Sequence, residues 1–222
     1  MPAELGALLL ADGRLPTGGH AHSGGLEPAL QVGMRPDDVP RYIEARLRTV
    51  GLVEAAAAVL ALRCGRTAGA DVDEVQVALR ARMPSAPART ASELLGRGLA
   101  RLARRLWPEH PAVAALDSLG APPLRPVALG VVGAAVGMSD AQVARASLYD
   151  DAQTVAAAAL KLLPVDPTDA TRWLLDAGHT LEEIVARALT CTGPDTMPAT
   201  TAPLVEQYSL DHESRSRRIF VA

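Results

Sequence analysis

An all-α, single-domain bundle of about eight to ten helices is the fold this sequence predicts, and three observations predict it. The 222 residues are 49% hydrophobic but only 3% aromatic, with alanine and leucine carrying the apolar content. Both are good helix formers, and a core rich in alanine lets helices approach closely. Apolar residues recur at helical spacing, as in Leu95, Leu99, Leu102 and Leu106 with Arg97, Arg101, Arg104 and Arg105 on another face. Finally, no alternating strand pattern bounded by hairpin turns occurs.

The elements follow in order. Residues 4–11 read as a short helix stopped by Asp12-Gly13 and the Leu15-Pro16-Thr17-Gly18-Gly19 loop. Ser23 is expected to open a second helix. A third starts after Arg35-Pro36-Asp37, where proline and acidic residues suit a first turn, and runs toward Val50. Gly51 predicts a bend or break before Leu52–Arg63, which Gly65 should end. Asp71–Arg82 and Ala88–Trp107 are amphipathic, closed by Pro84 and Pro108. Gly130, Gly133 and Gly137 in the helix over 127–137 lie close to one face; internal glycine costs about 1 kcal/mol against alanine, so a packing reason is expected. Ser139 with Gln142 is a capping-box pattern for a helix reaching Leu163. Asp169 is expected to cap another running to Thr190, and 202–212 a last one. The whole of 1–222 is one domain, with 213–222 as its tail.

Composition excludes several functions. Net charge is −3, so no general attraction to nucleic acid or anionic lipid is expected. Lys161 is the sole lysine and follows no glycine loop, which excludes a phosphate-binding Walker A motif. Cys64 and Cys191 are far apart and read as free thiols of a reducing compartment. No apolar run reaches the ~18 residues of a membrane span, and a cytoplasmic location is expected.

Three stretches could carry chemistry. His20 and His22, near Glu27, could ligate a borderline metal, which would make this a small helical metalloenzyme. A histidine pair two apart does not share a helical face, however, so exposed loop histidines are the plainer reading. The arginine face of 97–105 could dock an acidic partner or be a solvated face. Phe220, the single phenylalanine, follows Arg217-Arg218-Ile219 and should anchor into this domain or a partner. No catalytic constellation is present: neither G-x-S-x-G nor H-E-x-x-H occurs. Acidic neighbours such as Asp37-Asp38, Asp150-Asp151 and Glu182-Glu183 read as solvated faces.

Leu15-Pro16-x-Gly18-x-His20-x-x-Ser23-x-Gly25-Leu26-Glu27 resembles the signature of the UreF family of urease accessory proteins, with His20 where phenylalanine is common. Gly96-Arg97-Gly98-Leu99, Leu162-Leu163-Pro164 and Arg218-Ile219-Phe220 resemble later family segments in the same order, though Asp166-Pro167 departs from the usual Gly-Gln. The resemblance implies an all-α homodimer that is no enzyme and binds no stable cofactor. It implies assembly with a UreD/UreH-type protein, a UreG-type GTPase and urease apoprotein, with nickel and GTP handled by the partners. The residues it singles out as partner-binding or interface-shaping are Pro16, Gly18, Ser23, Gly25, Leu26, Glu27, Gly96, Arg97, Arg217, Arg218 and Phe220. It further implies a flexible tail over 213–222, ordered by a partner.

Overall fold

The computed structural model describes residues 2–213 and 219–220, with backbone alone for His20, His212 and Glu213. Among the described residues it is all-α, with twelve α-helical segments against the smaller number expected. The excess comes from short helices and from one long segment that divides.

The centre is α4 (Leu52–Arg66), in which every residue from Ala55 to Leu62 is buried. A helix apolar on all sides must be covered on all sides, and α5 (Val72–Ala81), α8 (Arg125–Ala135), α9 (Asp140–Leu162) and α11 (Gly178–Leu189) cover it. The closest approach is to α8. A Cβ on Gly130 would lie 2.3 Å from the Ala58 carbonyl oxygen, so only glycine lets the two backbones meet there. Gly133 shares this buried face, but Gly137 lies past the end of α8 at φ 76° and turns the chain instead.

Outside this pair, α6 (Ala86–Leu106) packs on α8, and α1 (Ala3–Ala11) and α10 (Pro167–Asp176) pack on α9. The short α7 (Pro111–Ala114), absent from the sequence reading, starts at His110, whose Nδ1 accepts the Ala112 N–H. The small buried face of α6 (Ser92, Gly96, Leu99, Ala100 and Ala103) replaces the leucine stripe as its contact surface; Leu106 is exposed.

Caps set most boundaries. Ser139 and Gln142 close the expected box at the start of α9, at 2.7 and 3.2 Å. Asp71 and Ser85 cap α5 and α6. The long segment expected from Asp169 begins earlier, because Asp166 accepts the Thr168 N–H at 2.7 Å with Pro167 in the first turn. That segment also divides at Ala177 into α10 and α11. Gly51 breaks nothing: a π turn over Leu47–Gly51 carries α3 (Val39–Arg46) into α4 without interruption. Gly65 sits inside α4, where a Cβ would press the Ala134 Cβ at 2.9 Å.

Ser23 does not open α2 (Leu26–Gln31); Gly24 and Gly25 stand at φ 60° and 81°, so the helix begins after them. The last helix, α12 (Pro203–Glu213), lies against α2 and α6. Cys64 and Cys191 are free thiols. No described helix is long and apolar enough to cross a membrane.

Candidate functional site

The signature stretch forms a glycine-rich loop seated on α6. Its underside is held by Gly98, where a Cβ would fall 2.5 Å from the Thr17 carbonyl oxygen. Its far end is held by Tyr42, whose hydroxyl donates to the Gly24 carbonyl at 2.8 Å. A Cβ on Gly25 would come within 2.7 Å of that hydroxyl, so glycine is needed for both space and backbone sign. Burial holds the Tyr42 phenol protonated, with its pKa pushed up to about 12. Ser23 and Leu26 are fully buried, and the Ser23 Oγ accepts the Glu27 N–H at 3.4 Å.

Glu27 is the pivotal residue. It is buried, and its two carboxylate oxygens accept the backbone N–H groups of Ile219 and Phe220 at 2.8 and 2.9 Å. Charged acceptors of this kind are about twice as strong as neutral ones. Phe220 is itself buried, and the Lys161 ammonium lies 5.0 Å from its ring centroid. Of the two anchors open to Phe220 in sequence, its own domain or a partner, the domain takes it. Both carboxylate oxygens of Glu27 are thereby engaged by the backbone of the C-terminal segment. Among the described residues no cluster of three histidine, cysteine or carboxylate side chains suits a metal.

The residues singled out in sequence separate into two kinds. Pro16, Gly18 and Arg97 are exposed, and Arg97 reaches Glu93 at 3.8 Å. Ser23, Leu26, Glu27, Gly96 and Phe220 are buried and can shape a surface only from beneath it. Gly96 is dictated by packing: a Cβ would fall 2.0 Å from the Pro123 carbonyl oxygen. Arg217, Arg218 and the His20 side chain lie outside the described residues.

Beneath the loop lies a cavity of about 360 Å³ whose walls include Arg46, Glu54, Arg125, Asp150 and Asp151, with His22 at the loop side. Here the reading of Asp150-Asp151 as a solvated face is wrong. Asp151 is buried and pairs with Arg46; Asp150 pairs with Arg125 at 2.6 Å. Neighbours on a helix point about a quarter-turn apart, and α9 is covered on more than one side. The other acidic neighbours behave as expected, with Glu182 and Glu183 exposed and reaching Arg145 and Arg48. Neither Arg46 nor Glu54 drew attention in sequence. The available signal was a lone charge in an otherwise apolar stretch, Glu54 before four alanines.

Glu54 is half-buried, and its pKa is pushed up to about 7 by burial first and by the Asp151 charge second. Burial lowers the His22 pKa, with Asp150 opposing and Arg125 assisting. The two act on stability in opposite directions. Glu54 binds its proton more tightly folded than unfolded, so its contribution is complete below ~4.5 and lost as pH rises through about 7. His22 binds its proton less tightly folded, so its contribution holds above ~6.5 and is lost as pH falls. A Glu54→Gln variant should melt with the wild type near pH ~5 and about 2–4 °C above it near pH ~8. Melting curves at both values check this, and equal curves at the higher one would refute the burial of an ionisable Glu54.

The sequence matches known proteins along almost its full length. A model of the UreF family matches residues 34–178. The chain is 38% identical over 218 residues to the urease accessory protein UreF of Mycobacterium sp. (strain JLS), covering 97% of each chain. It is 37% identical over 217 residues to that of Mycolicibacterium vanbaalenii and 36% identical over 217 residues to that of Mycobacterium tuberculosis (strain H37Rv), each again at 97% of both chains. All three are named as accessory proteins of urease.

Proposed function

Because the chain belongs to the UreF family of urease accessory proteins, and so assists an enzyme without being one, we propose that it is a scaffold in urease maturation. Together with a UreD/UreH-type protein it recruits a UreG-type GTPase to urease apoprotein. Nickel and GTP are handled by those partners, and this chain modulates the GTPase by presenting a rigid helical surface. It acts as a homodimer in the cytoplasm. The binding surface combines the signature loop with the tail, including Arg217 and Arg218.

The observation that supports this reading best is the junction of Glu27 with Ile219 and Phe220. It ties the signature loop to the C-terminal segment across a separation of 192 positions, which brings the two segments side by side. Ile219, at 70% of its full accessibility, is exposed at that junction. An interface core is more apolar than the surface around it, which is the environment an exposed isoleucine there would gain on binding.

Co-purification tests it. Tagged wild-type chain is expected to retain a UreD-like protein and a P-loop GTPase. Removal of residues 219–222 should abolish that capture, and Glu27→Gln should weaken it, since a neutral amide holds the two N–H groups less firmly by about 1–2 kcal/mol. Full capture and full urease activation by both variants would overturn the proposal.

A further inference from the structure

The cavity beneath the signature loop carries an unbalanced set of polar groups. Arg46 and Asp151 neutralise one another, as do Arg125 and Asp150. On the remaining walls, Arg82 sits at the end of α5 and Glu206 on α12, again one of each sign. The Arg82 guanidinium is occupied by the carbonyls of Pro194, Met197 and Pro198, and Glu206 accepts the Ser85 N–H at 3.1 Å. Glu54 is left over: it makes no hydrogen bond or ion pair with the described residues.

The paired groups are closed to a ligand. Asp151 is nine-tenths buried and held by Arg46, and its Oδ2 is sealed from the cavity. The Arg46 Nε is sealed likewise, in a guanidinium that meets Asp151 and lies beside the Tyr42 hydroxyl. Glu54 is the acidic group on these walls that has no partner among the described residues.

We propose that this cavity binds one organic cation bearing N–H donors, a guanidinium or a primary ammonium, with Glu54 as its counter-charge. A metal ion is the poorer fit, because the described residues provide no three-ligand cluster. The volume of about 360 Å³ admits a guanidinium with room for part of its stem. Thr154, beside the two aspartates on α9, and Ser92 on α6 add polar wall. The inference does not depend on the scaffold reading, since it concerns the isolated chain.

The cation should bind the ionised form of Glu54. The charged and titratable groups around that group are Asp150 and Asp151 from α9, Arg46 from α3, Arg125 from α8 and His22 from the loop, with Glu206 of α12 and Arg82 at the end of α5 also on the walls. Glu54 is the group among them whose ionisation is pushed into the neutral range by burial. Affinity should therefore rise between about pH 6 and about pH 8.

Titration of the full-length chain with methylguanidinium, followed by nuclear magnetic resonance, tests this. Saturable one-to-one binding is expected near pH ~8, weaker by about tenfold near pH ~6 and in Glu54→Gln, which corresponds to loss of one charge partner. As a readout independent of that variant, the Glu54 carboxyl in the wild type should titrate about one unit lower when methylguanidinium is present. Absence of saturable binding, equal binding by Glu54→Gln, or occupation of the cavity by Mg2+ in place of methylguanidinium would overturn the inference. Where binding is found, displacement of a co-purifying protein by excess methylguanidinium assigns the cation to a basic side chain of that protein. Unchanged co-purification assigns it to a free small molecule.

Discussion

Arg46→Ala is expected to destabilise the fold by about 3–5 kcal/mol, the largest single effect in the molecule. The guanidinium is nine-tenths buried between α3 and α9, and its partner Asp151 is equally enclosed. Deleting one member leaves the other as an uncompensated charge in a low-dielectric site. Attraction to Asp151 outweighs desolvation and holds the guanidinium firmly charged, so the arginine cannot escape by losing its proton. The double variant Arg46→Met, Asp151→Leu separates the pair from its packing. Because burial of two charges consumes most of their mutual attraction, this double change should lie within about 1–2 kcal/mol of wild type. Urea unfolding of the three proteins decides the matter; a double variant as unstable as Arg46→Ala would mean that the pair is worth more than its desolvation.

The second large effect is Gly130→Ala, expected to cost about 2–3 kcal/mol. In an exposed helix the same exchange stabilises by up to about 1 kcal/mol, because alanine is the better helix former. Here the added methyl would lie 2.3 Å from the Ala58 oxygen and 2.8 Å from the Leu62 nitrogen, both backbone atoms that cannot rotate away. The helices α4 and α8 must separate, and with them the central contact of the core. Gly178 is the comparison: nothing lies within 4 Å of a Cβ built there, so Gly178→Ala should be neutral or mildly stabilising. Thermal melting of both variants should give shifts of opposite sign, and a stabilised Gly130→Ala would show that α8 has slack against α4.

These two positions also mark how far the sequence could be read. The need of Gly130 for a packing partner is legible, since three glycines in one helix contradict helix propensity unless something demands them. Which helix makes the demand is not, and Gly137, alike in composition, turns out to serve as a turn residue. Acidic pairs mislead in the same way. Asp150-Asp151 and Glu182-Glu183 look alike in sequence, yet Asp151 is sealed inside and Glu182 is exposed. The difference lies in whether a second layer of helices covers that side, which no local pattern records.

The signature residues divide along the same line. Gly25 and Leu26 are recognisable as a conformational and a core requirement. Glu27 looks in sequence like a candidate ligand or interface carboxylate, and only its contact with the backbone of Ile219 and Phe220 identifies it as the holder of the C-terminal end.

What the amino-acid sequence determined by itself is local. Alanine and leucine content made the fold helical; Asp71, Ser85, Ser139 and Asp166 placed helix starts through bonds to backbone a few residues away. Tertiary structure alone decided the pairing of Arg46 with Asp151, 105 positions on, and of Glu27 with a tail more than 190 positions away. It alone gathered Glu54 into a cavity with them. The reason is physical: a cap is chosen by neighbours the chain always has, whereas a buried charge finds its partner only after the helices have packed and excluded water.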